Sequence, residues 1–195
     1  MSWLKADVAK AQRKLVEQEL KGVWPKTYNT FVHAMEAICP EHINTLVDAG
    51  CGCGHYAIIC QQKWGHIRYT GTDVSQYMIK QARTLAPLAF FERCEFLENN
   101  FGAFDVCLTA GTIEYTSSPL DSLDFILETA RNYVILHRLH LTDDESHQVL
   151  EPTYCGNNER KMHWNEGELR NIIADYKSEI LYRGTWDDQL TLVLG

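Results

Sequence analysis

The chain has 195 residues, 45% of them apolar, and a formal net charge of −8. That is enough for one domain around a single core, and it is too acidic for a groove that grips phosphates with clustered Lys and Arg. No apolar run approaches the ~20 residues that span a bilayer, and seven scattered cysteines, an odd number, suit a reducing compartment better than a disulfide framework.

The opening segment, Ser2–Lys21, carries Leu4, Val8, Ala11, Leu15 and Leu20 at roughly helical intervals with charges between, so it reads as an amphipathic helix and not as a signal peptide. A cytoplasmic location is therefore expected. Gly22 stops this helix, Pro25 restarts the chain, and a second helix is expected over Tyr28–Ile38, closed by Pro40. Trp24, Lys26 and Tyr28 are candidates for ligand contact or for simple aromatic packing.

The stretch Thr45–Tyr56 organises the rest. Leu46-Val47 reads as a buried strand that meets Asp48 and then Gly50, Gly52 and Gly54 at alternate positions. Only glycine lets a backbone turn so sharply or come so close to a ligand. Tyr56–Trp64 then has apolar residues at helical spacing, which puts the glycines between a strand and a helix, where open α/β sheets hold nucleotide-like ligands. Cys51 and Cys53 have no second pair at a zinc-site spacing and read as small residues in a crowded loop, so no metal is expected. A second strand over Ile67–Ser75 ends at Asp73, about 20 residues beyond the glycines, where a carboxylate would accept from both hydroxyls of a ribose. The same acid would serve a nicotinamide dinucleotide equally well. Ser75 is a good N-cap for the helix that follows.

Three patterns together, Asp48-x-Gly50-x-Gly52-x-Gly54, Asp73-x-Ser75-x-x-Met78 and Lys80-x-Ala82-Arg83, resemble the class I S-adenosylmethionine-dependent methyltransferases. The resemblance implies an α/β fold: a Rossmann-like, seven-stranded, mostly parallel sheet with an antiparallel last strand and helices on both faces. It also implies S-adenosylmethionine as cofactor. The glycine turn would lie against its methionine and ribose portions, Asp48 would fix that loop and the amino end, and Asp73 with Val74 would meet the ribose. Met78 would face the adenine, although a core methionine has the same spacing. The two N-terminal helices, residues 1–44, would form a cap on a core of residues 45–195.

A third strand is expected over Glu92–Glu98, ending in Asn99, Asn100 and Phe101; in the family an acid or amide at this point hydrogen-bonds the adenine amino group, though both amides also suit a turn. The fourth strand, Phe104–Gly111, is apolar enough to be buried on both faces, and Thr109 and Ala110 at its end complete the expected cofactor wall. In the loop that follows, Glu114 and Tyr115 could face the acceptor or solvent. Leu120–Ala130 reads as a helix. The fifth strand, Tyr133–His140, brings His137, Arg138 and His140 to the carboxyl edge; a histidine can take a proton near neutral pH and an arginine can clamp a carboxylate or phosphate. A metal held by His137, His140, His147 and His163 is disfavoured, because no acid or cysteine stands with them at ligand spacing.

From Leu141 to Met162, including Cys155-Gly156-Asn157-Asn158, the chain reads as polar and irregular, either a substrate-selecting lid or a solvated insertion. Asn165 begins the last helix as N-cap, with Glu168 three residues later as in a capping box. Residues 178–194 form two strands and a tight turn, with the last strand slotted beside the fifth as in the methyltransferase fold. The expected activity is methyl transfer to a polar small-molecule acceptor, with His137, His140 or Glu114 as general base where one is needed, and Tyr28, Tyr115, Arg138 and His163 at the acceptor. The alternatives are a methyltransferase-like binding protein without turnover and an NAD(P)-dependent oxidoreductase. No nucleic-acid or membrane partner is expected.

Overall fold

The computed structural model describes residues 2–152, 158–176 and 178–195. A short 3-10 turn, Ser2–Leu4, precedes helices Ala6–Lys21 (α1) and Lys26–Glu36 (α2), the second starting directly after Pro25, which cannot donate a backbone hydrogen bond and suits a helix entrance. The chain then alternates: Thr45–Ala49 (β1), His55–Lys63 (α3), Arg68–Asp73 (β2), Gln76–Leu85 (α4), Phe90–Arg93 (β3), Val106–Ala110 (β4), Pro119–Thr129 (α5) and Tyr133–Thr142 (β5). The five strands are parallel in the order β3-β2-β1-β4-β5. The carboxylate of Asp105 accepts from the backbone N–H groups of Asn44 and Thr45, at 2.9 Å each, and so ties the starts of β1 and β4 together.

Helices cover both faces of the sheet, as a parallel sheet requires. On one face Phe31 and Met35 of α2 and Tyr56 and Ile59 of α3 pack on Leu46 and Leu108; on the other, Leu123 and Ile126 of α5 pack on Val47, Leu136 and Trp164. α1 lies apart from these, its Val8 and Ala9 packed on Cys53 and Met78 over the glycine loop.

Three expectations need correction. β3 begins at Phe90 and ends at Arg93, earlier than the expected strand, and Phe96–Glu98 is a 3-10 turn. The reason is Phe91, whose ring fills the space left by Gly71 and Gly54, where a Cβ would stand 2.6 and 2.8 Å from it. The Glu-rich continuation has no such slot and turns out of the ladder.

The segment after β5 is not irregular either. His147–Pro152 (β6) and Asn158–Asn165 (β7) form an antiparallel hairpin, with His147 opposite His163 and Pro152 opposite Asn158. β7 joins the tip of β5 in parallel at Leu141 and Thr142. Residues 153–157, with Cys155, lie outside the described residues.

Glu166–Asp175 (α6) is capped by Asn165, whose side chain accepts from the N–H groups of Gly167 and Glu168 at 3.0 and 3.2 Å. The expected reciprocal bond from Glu168 is absent: its carboxylate accepts from the Ser146 N–H, while Ser146 Oγ accepts from the Asn165 N–H. The cap is thus spent on fastening the hairpin's base. Ile180–Trp186 (β8) and Gln189–Leu194 (β9) close the chain, and β9 runs antiparallel between β5 and β8. β1 to β5 with β8 and β9 make the seven strands expected, and β6–β7 is an addition to them.

Candidate active site

A cavity of ≈ 500 Å³ opens at the carboxyl edge of the parallel strands, where ligands bind in open α/β sheets. Its floor is the turn after β1. The N–H groups of Gly50 and Cys51 both donate to the Thr72 carbonyl, at 2.8 and 2.9 Å, which folds the turn back onto β2. Gly50 and Gly52 have φ of +81° and +53°, conformations that L side chains resist. A Cβ at Gly50 would collide with the Thr112 side chain, and one at Gly52 would stand 2.6 Å from Gln12 Oε1. Gly54 belongs to the packing under Phe91 and does not line the cavity.

Asp73 stands at the cavity wall with Oδ2 accepting from the Gly52 N–H at 3.0 Å and Oδ1 from the Ser75 N–H at 2.8 Å. Burial pushes its carboxyl up to about 6, against these two hydrogen bonds and with a further push from Glu95. Asp48 lies beneath the turn and is fully buried. Its Oδ2 accepts from the Tyr69 hydroxyl, and Oδ1 has no partner among the described residues. Burial raises its carboxyl to about 7, opposed by the Tyr69 hydrogen bond and aided by the charge of Asp73.

On the same side of the cavity Val74 and Met78 face in from the α4 entrance, and Asn99 from the loop after β3. Both ends of the Asn99 amide are engaged: Oδ1 accepts from Thr72 Oγ1 at 2.9 Å and Nδ2 donates to the Glu95 and Phe96 carbonyls. Asn100 is exposed and outside the cavity. Phe101 is core, against Phe96 and Phe125, and Thr109 is buried behind the wall, whereas Ala110 forms part of it.

The opposite end is built by β5. Its pairing with β9 slips between Leu136 and Leu139, and within that bulge Arg138 takes a φ of +64°. Bulges re-aim side chains at sheet edges, and this one turns Arg138 into the cavity wall. Tyr115, edge-on to Trp3 at 5.4 Å, lines the same end, its hydroxyl pushed up to about 12 by burial first and by the charge of Glu114 second.

The other candidate residues lie behind this surface. His137 is 1% exposed, its Nδ1 2.7 Å from Thr191 Oγ1, and burial, then the charge of Arg138, hold its ring well below the usual histidine range. His140 is engaged at both ring nitrogens: Nδ1 stands 3.4 Å from Glu114 Oε1, and Nε2 lies 3.0 Å from Gln189 Nε2. Glu114 is fully buried, and its Oε2 has no partner among the described residues. His163 pairs with Glu151 at 2.8 Å on the hairpin. Tyr28 is buried, donating to Glu19 at 2.6 Å and stacked on His55. None of these five lines the cavity, nor do Trp24 and Lys26. Among the described residues no three of His, Cys, Asp or Glu stand together as a metal site.

Several wall residues carry no sequence signal. Gln12 of α1 accepts from the Cys53 N–H at 2.9 Å and so clamps the glycine turn, and Trp3 reaches the cavity from before that helix. Polar residues on an amphipathic helix read as solvent-facing, which hides Gln12. His55 lines the cavity at the start of α3, and its place directly after the third glycine was the available clue.

A Rossmann-like sheet with an antiparallel strand between two others, and a cavity on its first glycine turn, defines the methyltransferase fold. Residues 47–134 match the family model of a methyltransferase domain. A stretch of 58 residues, 30% of this chain, is 38% identical to trans-aconitate 2-methyltransferase of Escherichia coli (strain K12 / DH10B), and the match spans 21% of that protein's length. Among solved structures, magnesium protoporphyrin IX methyltransferase of Synechocystis PCC 6803 with bound SAH aligns with a TM-score of 0.64 at 16% identity, over 87% of this chain and 80% of that one. A TehB-like SAM-dependent methyltransferase of Corynebacterium glutamicum aligns with 0.64 at 13% identity, over 97% and 98%. Across most of its length the chain shares the fold of these solved methyltransferases, and residues 47–134 match the domain model.

Proposed function

We propose that the chain transfers a methyl group from S-adenosylmethionine to a polar small-molecule acceptor. The observation that carries this reading is the glycine turn at the cavity floor, with no side chain at Gly50 or Gly52 and a carboxylate, Asp73, fastened beside it. These residues fit the cofactor: the bare backbone admits a nucleoside and amino-acid moiety, Asp73 would take the ribose hydroxyls, and the unpartnered Asp48 Oδ1 is an acceptor in reserve under the turn. Val74, Met78 and Asn99 would border the base, and Ala110 and Gly50 the sulfur end. Bound there, S-adenosylmethionine supplies a methyl group already activated on a sulfonium.

The protein's own task is then alignment and exclusion of water. Gln12 of α1 and Trp3 of the turn before it close the cavity, and Tyr115 and Arg138 form its acceptor end. His140 has both ring nitrogens engaged, with Glu114 and Gln189, and His137 is buried outside the cavity wall with Nδ1 on Thr191, so the reading routes no proton through them. Neighbouring methyltransferases act on small molecules by their names, which agrees with the net charge of −8 on this chain. No helix of the described residues is long and apolar enough to cross a membrane.

Thermal melting with S-adenosylmethionine, S-adenosylhomocysteine, NAD and NADP in separate samples tests the reading. A ligand held only by the folded state at a hundred times its dissociation constant adds ~2.7 kcal/mol, a shift of several degrees. A rise with the two adenosyl compounds alone, lost in Asp73→Ala, is expected. A rise with NAD or NADP alone sinks the proposal.

A further inference from the structure

We infer that the methyl acceptor carries a carboxylate, held at the β5 end of the cavity by Arg138 together with His55. The inference rests on the methyltransferase reading above and adds the chemical class of its acceptor.

Four observations converge. Arg138 Nε and His55 Nδ1 are both buried, both without a hydrogen-bond partner among the described residues, and both belong to residues of the cavity wall. A buried donor left unpaired is costly, and it is tolerated where a ligand completes it. Arg138 also occupies the left-handed region in the β5 bulge, a strain that proteins hold mainly at functional sites. Third, the charge in the cavity is divided: Asp73, Glu95 and Glu98 lie toward the β2 and β3 end, and Arg138 is the sole Lys or Arg among the described wall residues. An anion therefore has one place to go.

The fourth observation separates a carboxylate from a larger anion. Burial, and then the charge of Arg138, hold the His55 ring down to about 3, so it offers a single neutral N–H or lone pair instead of a second positive charge. One guanidinium beside one neutral ring donor matches the two oxygens of a carboxylate. A phosphate dianion would leave most of its charge unmet. Tyr28 and Tyr56 pack against His55 and fix the ring's plane, at centroid distances of 5.5 and 4.2 Å.

The test is calorimetric titration of the protein saturated with S-adenosylhomocysteine. The probes are succinate, citrate and benzoate, each paired with its amide, and phenyl phosphate. At least one carboxylate is expected to bind, with its amide at least tenfold weaker. Arg138→Gly removes the guanidinium and relieves the positive φ, so it is expected to melt no lower than the parent, to keep S-adenosylhomocysteine affinity within twofold, and to lose at least tenfold in carboxylate affinity. Arg138→Lys keeps the charge without the fork and is expected to fall between, and His55→Asn to lose severalfold.

Equal binding of acids and amides, binding of phenyl phosphate alone, or no carboxylate bound to the cofactor complex would each overturn the inference while leaving the methyltransferase reading in place. It fails too where Arg138→Gly weakens S-adenosylhomocysteine but not 5′-methylthioadenosine, because the guanidinium would then serve the cofactor's own carboxylate. A protein that binds no S-adenosylhomocysteine overturns the underlying reading and the inference with it.

Discussion

Replacing Asp48 by asparagine should make the protein more stable above neutral pH and remove a specific part of its pH dependence. In the folded chain burial raises the Asp48 carboxyl from 3.8 to about 7, whereas in the unfolded chain it ionises near its ordinary value. Between these values the folded state holds a proton that the unfolded state has released, so stability falls as pH rises. The contribution is fully present below the unfolded value and is lost as pH passes about 7. From pH 5 to 7 the loss is two pKa units, about 2.7 kcal/mol at 1.36 kcal/mol per unit.

In Asp48→Asn the side-chain amide would keep an acceptor for the Tyr69 hydroxyl and carry no charge to bury. Asp73, raised to about 6, and His55, lowered to about 3, both chiefly by burial, also tilt the profile, but they remain in both proteins, so that only the charge coupling of Asp73 to Asp48 carries over into the difference. Urea denaturation followed by far-UV circular dichroism at pH 5, 6, 7 and 8 gives that difference directly. The advantage of Asp48→Asn should grow by about 2 to 3 kcal/mol between pH 5 and 8. Parallel profiles for the two proteins would refute the reasoning, since the carboxyl would then titrate alike folded and unfolded.

Two further changes probe the cavity floor. Gly50→Ala forces a side chain into a φ of +81° and against Thr112, which should cost about 1 to 3 kcal/mol of stability and weaken S-adenosylhomocysteine more than tenfold by calorimetry; unchanged affinity would mean the ligand avoids this turn. Gln12→Ala strips the Cys53 N–H of its acceptor and should cost about 1 to 3 kcal/mol, with cofactor affinity falling in step; retained stability and affinity would show that α1 does not hold the turn.

The β-strand and glycine pattern of residues 45–73 was legible because a buried parallel strand and a side-chain-free turn leave few substitutes for Val47, Gly50 and Gly52. The closing hairpin of β8 and β9 was legible for a similar reason: Leu190, Leu192 and Leu194 are buried in a strand whose register is set by the turn before it. β6 and β7 were hidden because their residues are largely polar and pair with one another across the hairpin, as Lys161, buried to 7% exposure, does with Glu151 at 3.1 Å. β3 was displaced because the decisive partner of Phe91 is an absence, the missing side chains of Gly71 and Gly54.

At the site, position in a strand could bring His137, Arg138 and His140 to the right edge but could not say which would face the cavity. The bulge decides that: by inserting a residue it breaks the alternation on which the reading of faces depends. His137 and His140 then turn inward to Thr191 and Glu114, and Arg138 alone reaches the opening. The contribution of α1 was invisible for a different reason, because Gln12 acts across a gap of 41 residues on a backbone N–H that no local pattern announces.

The β6–β7 hairpin has a further consequence. It is fastened at its root: two residue pairs with the tip of β5, the exchange between Ser146 and residues Asn165 and Glu168, the buried Trp164, and the flank of β7 against the turn Ile113–Tyr115. The described residues of the hairpin pair with each other and with β5, and with neither of the strands that carry the glycine turn. The fold therefore separates two jobs along one chain, a foundation whose residues constrain each other and an appendage fastened to it at one end. Such an appendage can be lengthened, shortened or recoded while the foundation stays upright.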